Sequence, residues 1–140
     1  MNKMFFFIFA LFFTSCSKDV ILTEQEVGPK ITSFITTHFE GETIIQAVKD
    51  KDFLHKSYDV WLTNNIYLEF NRKHDVIEID SEKQLPDSVV PTKILEFVKN
   101  KYPTLFITDW SLDDNRQEVE LSNDLNLIFN KSGDFLRIED

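Results

Sequence analysis

Apolar and polar residues alternate in eight short segments of the chain, a spacing typical of β-strands with one buried face. Two further segments repeat their apolar residues every three or four positions, which is typical of an amphipathic helix. The pattern therefore predicts two helices and eight strands. The strands are predicted at residues 44–49, 57–62, 66–70, 76–79, 107–112, 117–121, 125–129 and 135–138.

Each helical segment precedes four of these strands. Ile31 and Ile35 lie on one side of the first predicted helix, and Ile94 and Val98 lie on one side of the second. A proline at position 103 cannot continue the second helix and is expected to follow its end.

The two halves of the chain resemble each other. Residues 31–39 align with residues 94–102, and residues 58–64 align with residues 117–123, so that the apolar positions coincide. This self-similarity predicts two copies of one unit, a helix followed by an antiparallel meander, with the helices covering one sheet face. The predicted fold class is α+β, with two tandem helix-plus-antiparallel-meander repeats forming a two-layer domain.

The first hairpin has a register that its apolar residues select. A three-residue loop at 63–65, with Asn65 in the left-handed conformation, pairs apolar residues with one another. A two-residue loop would instead pair Leu62 with Tyr67 and mix the two faces, so we reject it. The predicted pairs are Leu62 with Ile66, Val60 with Leu68, Tyr58 with Phe70 and, in the second half, Leu121 with Leu125 and Val119 with Leu127.

The same register places two large aromatic side chains on the face opposite the predicted helices. Trp61 pairs directly with Tyr67, and Asp59 and Glu69 lie beside them as an acidic pair. Large exposed aromatic residues are disfavoured unless they bind something, so these four residues form the candidate binding surface. Two other interpretations stay open, namely that the aromatic pair only stabilises the hairpin or that the other half of the chain covers it.

The amino terminus has the pattern of an export signal. Lys3 precedes an apolar run at 4–13, which is too short for a membrane span of roughly 20 residues. Small residues then lead into Cys16, a site that resembles a lipobox, and an odd cysteine in an exported protein is explained by lipidation. We predict a signal peptide at 1–15 and a lipid-attachment site at Cys16.

The position of Cys16 and the predicted helices and strands divide the rest of the chain into four segments. They are a lipid-anchored tether at 16–22, a first repeat at 23–80, a linker at 81–88 and a second repeat at 89–140. No aspartate directly follows Cys16, which favours the outer membrane, and both the periplasmic side and the cell surface stay open as orientations.

The charge of the chain excludes one class of partner. The formal net charge is −9, and removing the predicted signal peptide with Lys3 makes it one unit more negative. An acidic protein of this kind is not expected to bind nucleic acid, or anionic lipid by charge, and favours basic partners or none in particular. Membrane attachment is predicted through the lipid anchor alone.

The sequence shows no arrangement of residues typical of an enzyme or metal site. His38, His55 and His74 lack metal-ligand spacing, and there is no second cysteine. The acidic loops at 50–52 and 113–115 lack the ligand series of a calcium loop, and no Gly-x-Ser-x-Gly motif is present. We therefore predict a protein that is not an enzyme and has no cofactor or metal.

Three motifs occur twice, in the same order, after Cys16. They are the helix ends His38-Phe39 and Tyr102-Pro103, the acidic loops at Asp50 and Asp113, and the hairpins that close on Phe70-Asn71 and Phe129-Asn130. This order of motifs resembles the PepSY-like family, also called β-lactamase-inhibitor-like, over nearly all of the chain after Cys16. The resemblance implies a fold similar to β-lactamase inhibitory protein and a role as an envelope binding or inhibitory module, and it carries over no inhibitory residue.

These observations predict an exported lipoprotein that acts as a non-catalytic binding module. It would hold or inhibit an envelope protein or peptide through its open sheet face. Two alternatives stay open, an accessory lipoprotein that binds a glycan or another envelope polymer and a structural lipoprotein without a specific ligand. The oligomeric state also stays open, because strand 76–79 or strand 135–138 could present a free edge.

Overall fold

The computed structural model describes residues 19–50 and 57–139, which form one antiparallel β-sheet and two α-helices. Helix α1 is Pro29–His38 and helix α2 is Thr92–Lys101. The strands are β1 (Val20–Leu22), β2 (Ile44–Lys49), β3 (Tyr58–Leu62), β4 (Ile66–Phe70), β5 (Val76–Ser81), β6 (Ile107–Asp113), β7 (Arg116–Leu121), β8 (Asn126–Asn130) and β9 (Phe135–Glu139).

The sheet is continuous from β1 to β9. Every strand pairs with the next one along the chain, so the order of strands in the sheet is their order in the sequence. Strands β5 and β6 join the two halves of the chain, although helix α2 lies between them in sequence. Their cross-strand pairs are Glu78 with Ser111, Ile79 with Trp110 and Asp80 with Asp109.

The predicted fold class is wrong. The structure is mostly β, with one nine-stranded sheet and two ten-residue α-helices in its described part. It is not the predicted α+β domain built from two helix-plus-antiparallel-meander repeats, because all nine strands belong to one sheet. The prediction failed because apolar periodicity shows which face of a strand is buried but not which distant strand pairs with its edge.

The individual strands are placed well by the sequence. All eight predicted strands are confirmed to within two residues at each end. A ninth strand, β1, was not predicted and pairs with β2, with Val20 opposite Lys49. It lies within the range predicted as a tether, 16–22, so the last three residues of that range form an edge strand instead.

The predicted register of the first hairpin is confirmed. Leu62 pairs with Ile66, and the other predicted pairs of β3 and β4 follow from it. Asn65 has a φ of 57° and Asn64 a φ of 59°, so both adopt the left-handed conformation that asparagine tolerates better than most residues. The Asn64 side-chain amide also donates a hydrogen bond of 2.8 Å to the carboxylate of Glu42, which fixes the loop.

The hydrophobic core lies between the helices and one face of the sheet. The buried residues of the helices are Ile31 and Ile35 in α1 and Ile94 and Val98 in α2, each pair four positions apart on one helix side. Two aromatic contacts dock the helices edge-on against the sheet: Phe34 against Phe70, with ring centroids 5.5 Å apart, and Phe97 against Phe129, at 5.4 Å.

Trp110 belongs to this covered face of the sheet. Its side chain is buried, and its indole Nε1 donates a hydrogen bond of 3.0 Å to Oε1 of the buried Gln117. The Gln117 amide nitrogen lies 3.1 Å from the carbonyl oxygen of Lys131, to which it donates in turn. The polar atoms of this buried pair are thus satisfied, as burial in a low-dielectric core requires.

Two glycines with a positive φ differ in what surrounds them. A Cβ at Gly133 (φ +80°) would lie 3.3 Å from Cβ of Lys93, whereas a Cβ at Gly41 (φ +86°) would meet nothing within 4 Å. We expect Gly41→Ala to lower the free energy of unfolding by about 1 kcal/mol through backbone strain alone. We expect Gly133→Ala to lower it by roughly 1 to 2 kcal/mol more, because α2 must also move.

Urea unfolding of the two variants tests this difference, with Gly41→Ala as the matched control. Equal losses of stability in both would contradict the close approach of the 130–134 turn to α2.

Candidate functional site

The sheet face opposite the helices, which we call the open face, carries two rows of mostly acidic side chains. Each row consists of direct cross-strand partners from β3 to β7, and both rows cross the junction between β5 and β6. One row is Asp59, Glu69, Glu78, Ser111 and Glu118, and the next is Trp61, Tyr67, Asp80, Asp109 and Glu120.

Trp61 and Tyr67 lie where the sequence predicts them. They are direct partners on β3 and β4, and their ring centroids are 5.3 Å apart with the planes inclined at 46°. Trp61 keeps 37% of its surface exposed, and Tyr67 is half-buried. The pair therefore packs across the hairpin and also presents an aromatic surface on the open face.

The acidic pair predicted beside the aromatic rings is also on the open face. Asp59 pairs with Glu69, and Oδ1 of Asp59 accepts a hydrogen bond of 3.0 Å from the Tyr67 hydroxyl. Partial burial raises the pKa of Asp59, and this hydrogen bond opposes the shift. Burial and the nearby Asp59 together raise the pKa of Tyr67, so its phenol stays protonated and remains a donor.

Five further carboxylates complete the acidic rows, and the sequence analysis missed them. Four of them follow the period-two spacing of exposed strand positions, in Glu78-x-Asp80 on β5 and Glu118-x-Glu120 on β7. This spacing could have placed each pair on one face, but only the junction of β5 with β6 brings the residues of β6 and β7 beside those of β5. The residues missed are Glu78, Asp80, Asp109, Glu118 and Glu120.

Asp109 has the most perturbed environment of these carboxyl groups. It lies between Asp80 on β5 and Glu120 on β7, and Glu78 and Glu118 occupy the adjacent row. Partial burial, followed by repulsion from Asp80 and the other three carboxylates, raises the pKa of Asp109 to about 7. At neutral pH this group is therefore close to half protonated.

The same causes act on the neighbouring pair Glu69 and Glu78, which face each other across β4 and β5. Partial burial is the main reason that both pKa values are raised, and for Glu69 the charge of Asp59 adds to it. Both carboxyl groups therefore release their protons at a higher pH than isolated glutamates do.

Cations do not neutralise the acidic rows within the described residues. The four ion pairs found there are Lys30–Asp75, Lys93–Asp134, Lys99–Asp87 and Arg137–Glu139, and none includes one of the seven carboxylates in the two rows. Like charges directly opposite one another on a sheet are destabilising. Repulsion among these carboxylates therefore opposes folding in the described part of the chain.

The two described histidines, His38 and His74, do not join the open face. His38 ends α1, with Nδ1 2.9 Å from Oγ of Ser88, and His74 packs edge-on against Tyr58 at a centroid distance of 4.6 Å. His55 and Cys16 lie outside the described residues. Within residues 19–50 and 57–139, no three histidine, cysteine or acidic side chains are arranged to hold a metal ion.

A family model described as "Putative beta-lactamase-inhibitor-like, PepSY-like" matches residues 56–137, more than half of the chain. The chain belongs to this PepSY-like family. The matched range contains the hairpin of Trp61 and Tyr67 and the strands of both acidic rows. The family description names no catalytic activity. None of the curated proteins matches the chain.

Three solved structures from Bacteroides species are similar to this PepSY-like chain over most of its length. A Bacteroides thetaiotaomicron protein described as a "putative calcium-regulated periplasmic protein" is 28% identical, with a TM-score of 0.82 over 87% of this chain and 97% of that one. A Bacteroides vulgatus "putative periplasmic protein" of the DUF2874 family is 28% identical, with a TM-score of 0.83 over 89% and 99%.

A second Bacteroides vulgatus protein is described as a "putative periplasmic protein of unknown function". It is 29% identical, with a TM-score of 0.81 over 88% of this chain and 100% of that one. All three relatives are thus described as periplasmic. In the part of this chain that the structure describes, no helix has the length and apolar character needed to cross a membrane.

The raised pKa of Asp109 predicts a pH-dependent stability. Between the unfolded pKa near 4 and the folded value of about 7, the unfolded chain releases this proton first, so stability falls as the pH rises. Asp109→Asn removes the effect. We expect it to raise the free energy of unfolding by roughly 1 to 2 kcal/mol at pH 8, a value reduced for solvent screening, and to change it little at pH 4.

Urea unfolding at the two pH values measures this difference. Asp113→Asn, at the exposed end of the same strand, is the matched control and should give a smaller gain at pH 8. A pH-independent effect of Asp109→Asn would contradict the environment described for this carboxyl group.

Proposed function

We propose that this PepSY-like protein is an exported lipoprotein, anchored through Cys16 at the outer membrane, that binds a basic segment of an envelope protein and catalyses no reaction. Export is supported by the signal-like sequence at 1–15 and by relatives described as periplasmic. The partner would lie on the open face, around Trp61 and Tyr67.

The observation that supports this partner is the combination of an aromatic pair with seven acidic side chains that form no ion pair among the described residues. Trp61 and Tyr67 offer a rigid apolar contact, which is the kind of residue that contributes most to protein interfaces. The acidic rows beside them attract lysine and arginine side chains and disfavour acidic ones. The open face is broad rather than enclosed, which suits a protein segment better than a small molecule.

A glycan or another envelope polymer is the second candidate. The tilted aromatic pair, 37% exposed at Trp61, could stack against a sugar ring, and carboxylates can accept hydrogen bonds from hydroxyl groups. A neutral sugar would not need seven acidic side chains for its recognition. The basic protein segment therefore explains more features of the open face.

Calcium is not part of the proposal, although one relative is described as calcium-regulated. Calcium requires six to eight oxygen ligands around one point. The described carboxylates are spread along two rows of a sheet, and no three of them converge on a metal position.

The aromatic pair is tested by capture of envelope proteins on the immobilised chain from Ser17 onward. This range includes every described strand and helix and the described part of the core. We expect a basic envelope protein to be retained and to be lost with the Trp61→Ala, Tyr67→Ala double variant.

The control is Phe106→Ala, which removes an aromatic side chain of similar exposure, 38%, outside the two rows. It should retain the captured protein, and circular dichroism should show that all variants are folded. If the double variant and the unchanged chain capture the protein equally, the aromatic pair only stabilises the hairpin and does not bind the partner.

The acidic rows are tested by the salt dependence of that binding. We expect Glu69→Gln with Asp80→Asn to lower the affinity for the captured protein by about tenfold or more and to weaken its dependence on salt concentration. The matched control is Glu40→Gln with Glu96→Gln, which also replaces two exposed carboxylates, one after α1 and one on α2, outside the open face. Equal losses in both pairs would show an effect of net charge rather than of the open face.

A further inference from the structure

Strand β9 is an exposed edge of the sheet. Among the described residues it pairs only with β8, and all five of its residues are exposed. The outer edge of such a strand presents backbone N–H and C=O groups that are free to pair with another strand. Leu136 and Ile138 add exposed apolar surface, at 49% and 47% of their full areas.

The side chains that protect many edge strands are largely missing from β9. It contains no proline and no lysine. The one register shift in its pairing with β8 lies near its start, between Ile128 and Phe129 of β8. Arg137, Ile138 and Glu139 follow in regular register, opposite Ile128, Leu127 and Asn126. This regular part is the segment that could accept a further strand.

The charges of β9 complement those of an antiparallel copy of itself. Arg137 and Glu139 lie on the same face of the strand, where Nη2 of the arginine is 3.0 Å from Oε1 of the glutamate. A two-fold axis at Ile138 places each Arg137 opposite Glu139 of the second copy and each Ile138 opposite its own equivalent. An axis at Arg137 would instead place the two arginines opposite each other, which is destabilising.

We propose that two copies of the chain pair antiparallel along β9, with the two-fold axis at Ile138. Such an axis is perpendicular to the sheet, so the two sheets join into one and both open faces lie on the same side. The ion pair that each strand holds within itself is exchanged for two between the copies, and the free edge of β9 is removed. This proposal does not depend on what the open face binds.

The opposite edge of the sheet is a poorer site for a second copy. Strand β1 has only three residues, and a contact between β1 of one molecule and β9 of the next would not close. It would produce oligomers of increasing size rather than a dimer. The mass of the assembled species therefore distinguishes the two arrangements.

The test uses charge reversal at the two symmetric contacts, measured by sedimentation equilibrium of the chain from Ser17 onward, which lacks the only cysteine. We expect a dimer for the unchanged chain. Arg137→Glu and Glu139→Arg, made separately, should each raise the dissociation constant about tenfold or more, because each creates two like-charge contacts. The double variant with both reversals should restore the dimer.

Thermal unfolding of each variant checks that the monomer fold is retained, since the reversed residues are exposed. A monomer at all concentrations would overturn the proposal, as would a dimer that survives either single reversal. A series of larger oligomers that is lost with Ile21→Lys on β1 would overturn it in favour of contacts between opposite edges.

Discussion

The pairing of β5 with β6 is the contact on which the rest of the structure depends. It joins two sets of strands that are separated in sequence by helix α2, and it does so in a register that aligns Ile79 with Trp110. Because side chains alternate between faces, this one register continues the core on the helix side and the two acidic rows on the other. A shift by one residue would place Asp109 in the core.

The two faces of the sheet make opposite contributions to stability. On the covered face, Phe70 and Phe129 are fully buried beneath the aromatic residues of the two helices. Burial of apolar surface of this kind is the main favourable term in folding. On the open face, partial burial and repulsion from the neighbouring carboxylates raise the pKa of Asp109 to about 7. The apolar core thus supports a charged surface that the fold itself does not require, which is typical of a surface kept for binding.

The three Bacteroides structures resemble this chain in fold. Structures at about 28% identity cover nearly the whole of the described chain, and each is described as periplasmic. The similarity concerns the scaffold, whereas specificity lies in the side chains placed on it. Trp61 and Tyr67 occupy one hairpin of this scaffold, and their counterparts on β7 and β8 are Glu120 and Asn126.

The sequence by itself determined the local structure. It placed eight strands, the hairpin register and the pairing of Trp61 with Tyr67, because alternation and turn residues act over a few positions. Only the tertiary structure decided that the strands form one sheet, that Val20–Leu22 adds a strand, and that Asp109 lies between Asp80 and Glu120. Those features depend on pairing between segments that are distant in sequence, and the pattern within a strand carries no information about its distant partner.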